Sequence, residues 1–450
     1  MKILVCVKVI KGELNPFDES ALECALRLSD DVTVISMGPM SCENALKPLT
    51  RLGAKVTLIS DNRFAGSDTL ATSYILATAI KHMEYDLILC GRQSIDGDTA
   101  QVGPMLSEKL GVSLITNALK LECVNNNVFA DTREGEESAK LPALVTLERS
   151  YVLRFPSIFS KQGQVETISN DNLNCDLEKC GLSGSPTKVL ETFESERGKR
   201  KCKFISKDEL LPLVDELMKQ NKCEQKTEVY GKKLESVWAI GEEVLEKAKE
   251  IAENVVLIDR APPAEIAKKA LDENPNVILW NADLWGRKNA PVVASKLETG
   301  LCADCTMLET DGKNLIMYRP AQGGNITAKI KCETLPQMAT VRTKAESSDI
   351  IVSGGKGVAE NIDKLNELAE KLGAEIGASR GLVDMDKAAY DKQIGLTGKT
   401  VSPKIYIAVG ISGAIHHTVA IEGSTTVIAI NPDKDARIFE YADYGIVDRL

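Results

Sequence analysis

Histidine is scarce in this 450-residue chain, which has three, and aromatic residues make up only 4% of it. Two of the three histidines are the adjacent His416 and His417, which face different ways on a helix, so no metal-binding His pair and no Ser-His-Asp order is visible. No apolar run approaches the ~18 residues of a membrane span, and the opening MKILVCVKVI reads as a strand with no small-residue cleavage site. Blocks of Lys and Arg interleaved with aromatics are missing too, and 65 acidic against 55 basic side chains argue against a nucleic-acid partner. A soluble cytoplasmic protein with no membrane span is expected. The 12 cysteines do not suggest a disulfide framework: Cys6, Cys90 and Cys332 lie in apolar strand patterns, as small buried residues in a reducing compartment do. Cys302-Ala303-Asp304-Cys305 has CxxC spacing, but two sulfurs cannot close a metal site, so a packing role and no metal are expected.

What is present is a regular alternation of β-branched runs and amphipathic stretches, the pattern of a mostly parallel sheet covered by helices. It predicts strands over 3–9, 31–37, 55–59 and 86–91 and helices over 18–28, 42–52, 68–81 and 99–110, a doubly wound α/β domain ending at Ile168. Residues 169–235, rich in Asn, Ser, Lys and Glu, read as an arm and linker with one amphipathic piece over 207–219. A second α/β domain follows over 236–343, and a C-terminal parallel-sheet domain over 344–450. Asp86–Leu114 and Asn276–Leu301 share a strand, polar loop and helix, so the first two domains are expected to be related. Only the first copy carries Asp96-Gly97-Asp98-Thr99, where Gly97 lets a backbone approach a phosphate and Thr99 and Gln101 supply donors.

The last domain offers three small-residue loops: Ser353-Gly354-Gly355-Lys356-Gly357, Gln393 to Lys399, and Gly410-Ile411-Ser412-Gly413-Ala414. In a parallel sheet such loops fall at the carboxyl edge and can converge on one crevice. The third runs from a buried-type strand into a helix bearing His416 and His417, whose N-terminal amides and dipole would favour an anionic or electron-rich ligand. None is a GxGxxG or Walker loop, so the residues alone stop at a nucleotide or cofactor site.

Further blocks narrow this. On the N-terminal side stand Asn15-Pro16-Phe17-Asp18, FAGSDTLATS (64–73) and DGDTAQVGP (96–104). On the C-terminal side stand GLCADCT (300–306), RPAQGGN (319–325), PQMATVR (336–342), SGGKG, GASR (377–380), QIGLTGK, GISGAIHH, AINPD (429–433) and ADYG (442–445). With these blocks the chain resembles electron transfer flavoprotein, its β subunit over about 1–210 and its α subunit from about 237, fused head to tail. The resemblance implies FAD in the C-terminal domain, with electrons carried between a dehydrogenase, such as an acyl-CoA dehydrogenase, and redox acceptors, ferredoxin or flavodoxin among the candidates. It implies Lys356 by the isoalloxazine, Thr397 near N5 and O4, and His417 at the C2 carbonyl. Ser412, Gly413 and Ala414 would hold the pyrophosphate or ribityl side, and Asn431 and Asp443 the adenosine end. Ser353, Gly354, Gly355, Ser379, Arg380, Gln393, Gly395, Leu396, Gly410, Ile415 and His416 complete that set.

The chain departs from the family at Lys356, usually arginine, and at Leu396 and His416, usually glutamines. A histidine can be neutral or charged near pH 7, so a pH-dependent potential is expected. The segment between Val9 and Asn15 is short, and the usual docking segment, about Thr146 to Arg154, is altered. The N-terminal site resembles the subgroup holding a second FAD that takes hydride from NADH and splits the electron pair. That reading is favoured over structural AMP with simple relay. Val7, Met37, Asp61, Ser67, Thr69, Ser94, Asp96, Gly97, Thr99 and Gln101 would line it. A non-redox adenine-nucleotide sensor that has lost its C-terminal flavin is the alternative of another class.

Overall fold

The computed structural model describes residues 1–132, 134–194, 200–220, 230–321, 326–343, 348–395, 398–399, 401, 403–421 and 424–450. The chain forms two compact units, one of Met1–Thr192, Tyr230–Gln322 and Ala328–Val341, the other of Phe193–Val229, Gly323–Thr327 and Arg342–Leu450.

In the first unit a nine-stranded sheet runs Glu166–Ile168, Lys55–Ile59, Asp31–Met37, Lys2–Val7, Leu87–Gly91, Ala143–Leu147, Ser113–Val124, Asn127–Thr132 and Gly135–Lys140. It is parallel from Glu166–Ile168 through to Ser113–Val124, and the last three strands form an antiparallel meander. Strand order reverses direction at Lys2–Val7 and Leu87–Gly91, the switch point where doubly wound sheets open a crevice beyond their carboxyl ends. The first helix, Pro16–Leu28, begins with Pro at its N-terminus, carries Asp18 and Glu19 in its first turn and Arg27 in its last, as the helix dipole favours. The second α/β part has a five-stranded parallel sheet in the order Ala252–Ile258, Leu234–Ile240, Val277–Asn281, Gln337–Val341 and Leu301–Cys305. The two helices of the repeat, Val102–Leu110 and Leu284–Lys296, meet in one core where Met105 packs with Val293, Ala294 and Trp280.

The second unit holds a seven-stranded parallel sheet in the order Lys203–Phe204, Tyr444–Ile446, Thr426–Ile430, Ile405–Val409, Ile350–Gly354, Glu375–Ser379 and Gln393–Ile394. Its central strands, IIVSG, IYIAV and TVIAI, are buried throughout, as strands covered on both faces are. Here the order reverses between Ile350–Gly354 and Ile405–Val409.

Several local expectations are corrected. The helix expected over 42–52 is one α turn, Glu43–Leu46, between 3-10 pieces, because Pro48 cannot donate into an α ladder. The helix expected from Thr99 starts at Val102, since Asp98 and Ala100 take left-handed φ of 51° and 55°. The helix carrying His416 and His417 is a single turn, Ile415–Thr418, too short for an appreciable dipole. Within residues 169–235 the amphipathic piece expected over 207–219 is the helix Leu210–Gln220, and Asn170–Leu173 is in addition a capped helical turn and Thr187–Glu194 a strand. Polar composition there hid the buried Leu173, Cys175 and Cys180, which join the core of the first unit.

Candidate functional site

The switch point of the first sheet opens into a cavity of about 580 Å³. Cys6 and Val7 at the end of one strand and Cys90 and Gly91 at the end of the next form its floor. Of the residues expected at this site, Val7, Met37, Asp61, Ser67, Thr69, Ser94, Gly97, Thr99 and Gln101 line it. Asp96 is not part of the lining; its partly exposed carboxylate meets the ammonium of Lys8 at 2.7 Å. Burial works against the ionised Asp96, but Lys8 and the Ser94 hydroxyl outweigh it and hold the carboxyl below its usual range. Two non-glycine residues in left-handed backbone within three positions, Asp98 and Ala100, are the kind of stored strain that clusters at binding loops.

Several of these side chains are already committed within the protein. Thr69 Oγ1 donates to Gln101 Oε1 at 2.7 Å, and Gln101 Nε2 donates to the Leu301 carbonyl at 3.0 Å. Asp61 accepts from Arg63 and from the Asn170 amide, and its carboxyl lies well below the usual range chiefly because of Arg63. Ser67 Oγ accepts from the Gly181 amide at 3.0 Å, while Asp68 caps the helix Thr69–Ile80 and accepts from Thr187. Segment 170–187 thus braces loop 61–68. The cavity is also lined by Asn15, Asp18, Phe64 and Arg92. Asp18 accepts from the Lys8 amide at 2.8 Å and the Gly91 amide at 3.0 Å, tying the two strand ends to the first helix. Burial pushes its carboxyl up to about 7 against those donors. The signal for these residues was positional: Asn15 to Asp18 follows the first strand, on the carboxyl edge.

Arg92 Nη1 and Glu148 Oε1 form a buried ion pair at 2.8 Å. Beyond Glu148 the chain turns outward, and Val152, Phe155, Ile158 and Phe159 stand exposed, Phe155 at 95%. Arg154 anchors this stretch through Glu23 at 2.9 Å. The first part of the expected docking segment, Thr146 to Glu148, is buried, and the exposed apolar residues come later.

In the second unit the carboxyl ends of Ile350–Gly354 and Ile405–Val409 lie side by side, and their loops interlock. Gly355 N donates to the Val409 carbonyl at 2.8 Å and Gly357 N to the Gly410 carbonyl at 3.1 Å. A Cβ on Gly355 would overlap the Gly410 carbonyl oxygen, and Gly410 has φ of 62°, so both positions need glycine. Ser353 and Gly354 are buried in the strand end, and Lys356 is exposed with its stem laid over Gly381. Ser379 ends the neighbouring strand Glu375–Ser379 and Arg380 follows it, reaching Asp384 at 3.3 Å. Gln393 and Gly395 belong to the last strand and its turn, where Lys399 N donates to the Gln393 carbonyl. Ser412, Ala414 and His416 are exposed along the third loop, Gly413 packs against Ile438, and Ile415 opens the short turn.

His417 is buried, with Nδ1 3.0 Å from the Ile394 carbonyl and Nε2 2.8 Å from Tyr406 Oη. Burial lowers its pKa to about 4, against the opposing pull of the Ile394 carbonyl, so the ring is neutral at pH 7. Asn431, at the same edge, donates to the Ile411 carbonyl at 3.0 Å and accepts from the Asp433 amide. Asp443 is not brought to this crevice. Its amide bonds Val427 near the start of strand Thr426–Ile430, and its carboxylate accepts from Val427 N and the Arg200 guanidinium, at the amino edge of the sheet. Thr397 and Leu396 lie outside the described residues. Tyr406, which sequence reasoning took as a strand residue alone, is the addition here.

Cys302 and Cys305 are buried, Cys305 Sγ turning back on the Cys302 carbonyl at 3.7 Å, and burial pushes the Cys305 thiol up. Among the described residues no helix is long and apolar enough to cross a membrane.

Residues 3–173 and 259–366 match the electron transfer flavoprotein domain, and residues 344–422 the electron transfer flavoprotein FAD-binding domain. The chain is 41% identical over 232 residues to electron transfer flavoprotein subunit alpha of Thermoanaerobacterium thermosaccharolyticum, covering 41% of this chain and 70% of that one. It is 40% identical over 195 residues to subunit beta of the same organism, covering 40% and 75%. Protein FixB of Clostridium saccharobutylicum is 39% identical over 229 residues, covering 40% and 69%. With segments similar to both subunits in one polypeptide, the chain belongs to the electron transfer flavoprotein family as a fused β and α form.

Proposed function

We propose that the protein carries electrons between a dehydrogenase and further acceptors through FAD held in the crevice of the second unit. The observation that carries this is the interlocked pair of loops at Gly355 and Gly410, within residues matching the FAD-binding domain. These loops lie at the carboxyl edge of a switch point, where a dinucleotide can lie against main-chain amides. When bound, the isoalloxazine supplies the capacity to take one or two electrons. The chain's part is electrostatic and steric. Lys356 brings a positive charge to the rim, and the buried His417 brings a neutral ring fixed at both nitrogens. Ser412 with the Gly413 and Ala414 amides would hold the pyrophosphate side, and Asn431 shapes the turn beside them.

The cavity of the first unit is read as a second dinucleotide site, a further FAD reached by NADH. Its apolar wall of Met37, Ile59, Phe64 and Leu76 favours a ring system larger than adenine alone. The dehydrogenase would dock on the exposed apolar stretch from Val152 to Phe159. A visible spectrum with flavin and nucleotide analysis of the purified chain tests all of this. Two flavins per chain and bleaching by NADH are expected; one flavin with AMP would reduce the protein to a simple relay, and a colourless protein able to bind no FAD would overturn the reading.

A further inference from the structure

The bond between Tyr406 and His417 has a directionality that the carbonyl of Ile394 decides. A carbonyl only accepts, so the His417 Nδ1 at 3.0 Å from it carries a proton. In the neutral ring the lone pair is then at Nε2, and Tyr406 Oη, 2.8 Å away, donates to it. Nε2 is the one ring atom that can gain a proton while the ring stays in place. A hydroxyl both donates and accepts, so after such a gain Tyr406 can turn its hydrogen and accept from Nε2–H. Tyr406 is fully buried in the central strand Ile405–Val409, and burial pushes its phenol above its ordinary value, which keeps it a hydroxyl at every working pH. Among the described residues the facing groups are few. Tyr406 comes from the strand, the buried Ser353 of the adjacent strand Ile350–Gly354 interacts with the Tyr406 hydroxyl, and His416 is the exposed neighbour of His417 in the same turn. Lys399, on the loop that continues from Ile394, lies 4.0 Å from Glu375 on the adjacent strand. Burial lowers the ring's pKa and the Ile394 carbonyl opposes it, and among the described residues no charged side chain adds to either.

We propose that Tyr406 is a positioning residue whose reversible hydroxyl lets His417 take up one proton at Nε2, without turning, when an electron adds negative charge to the crevice. The electron leaves the dehydrogenase, which is oxidised, and goes to the FAD of the proposed function, which is reduced; the proton comes from water, whose O–H bond breaks as the Nε2–H bond forms. Electron uptake would thereby be coupled to proton uptake at a buried site. A buried N–H cation without an acceptor is far costlier than a buried lone pair, so removing the hydroxyl should suppress the charged ring more than the neutral one.

The coupling rests on the FAD reading above, but the arrangement of protons does not, and two measurements keep them apart. With three histidines, ¹⁵N-histidine labelling of the full chain gives a spectrum simple enough to assign by His417→Gln. In flavin-free protein His417 should show the Nδ1–H tautomer, and Tyr406→Phe, which keeps the ring volume, should lower the pH at which it charges. An Nε2–H tautomer, or an unchanged titration in Tyr406→Phe, overturns the proposal whether or not flavin binds. In FAD-loaded protein, dithionite reduction should convert His417 to the imidazolium pattern in wild type and not in Tyr406→Phe, whose midpoint potential should lose its dependence on pH. A side chain that merely packs would leave both readouts alone. Reduction without any change at His417 would also sink the idea.

Discussion

Gln101 donates its side-chain amide to the carbonyl of Leu301, 200 residues further along, at 3.0 Å. It is 2% exposed, and around it Ser295 Oγ reaches the Met105 carbonyl at 3.1 Å and Lys296 meets Glu108 at 3.1 Å. The β-like and α-like segments of the first unit are therefore held by a buried seam and not by the covalent joint alone. Cleavage at a protease site placed within residues 221–229 should leave the two pieces co-eluting in size-exclusion chromatography at micromolar concentration. Gln101→Ala should weaken the unit by about 1–3 kcal/mol in urea unfolding, because the Leu301 carbonyl and Thr69 hydroxyl lose a buried partner.

The Arg92 and Glu148 pair should behave as a buried ion pair does. Glu148→Gln or Arg92→Met alone removes one member of a buried ion pair and should cost about 3–5 kcal/mol, while Arg92→Met with Glu148→Leu should cost much less. A double-mutant cycle by denaturant unfolding measures the coupling. Single and double variants equally unstable would rule out a charge-pairing role.

His417 has a pKa near 4 when folded, below the ~6.5 of an unfolded histidine. As pH falls from about 6.5 to 4 the unfolded chain binds a proton that the folded chain refuses, so stability in this region should drop, by an amount on the order of 3 kcal/mol. Hydrogen exchange in strand Ile405–Val409 at pH 7 and pH 5 reads this out, with His417→Gln as control. An equal pH dependence in the variant would show that other groups are responsible. Asp18 has the opposite sign: its folded value, raised to about 7, means that helix Pro16–Leu28 loses protection as pH rises from about 4 through 7.

Gly355→Ala would force a methyl group into the Gly410 carbonyl. Separation of the two loops should cost roughly 1–3 kcal/mol and release FAD during gel filtration. Full flavin retention would mean the loops can part without consequence to the site.

The placement of much of the candidate site was legible because chain topology dictates it. A strand followed by a small-residue loop places that loop on the carboxyl edge, so Gly97, Thr99, Gly355 and Gly410 could be located from alternation alone. Asp443 escaped this logic: it precedes its strand, and a residue before a parallel strand falls on the amino edge. The commitment of Gln101 to Leu301 and of Asp61 to Arg63 was equally hidden, since a polar side chain's partner depends on what packs opposite, not on its neighbours in sequence. The burial of Leu173 and Cys180 was hidden for a related reason, as a few apolar residues can fix a polar segment once a core is available.

The sequence by itself determined the α/β class, the family and the edges at which loops converge, because burial of both faces writes long apolar strands and tight turns demand glycine. Only the tertiary structure decided which polar groups are spent internally. The proton on His417 follows from a carbonyl 23 residues away and a phenol 11 residues away, brought together inside a low-dielectric core where each lone pair must find its donor.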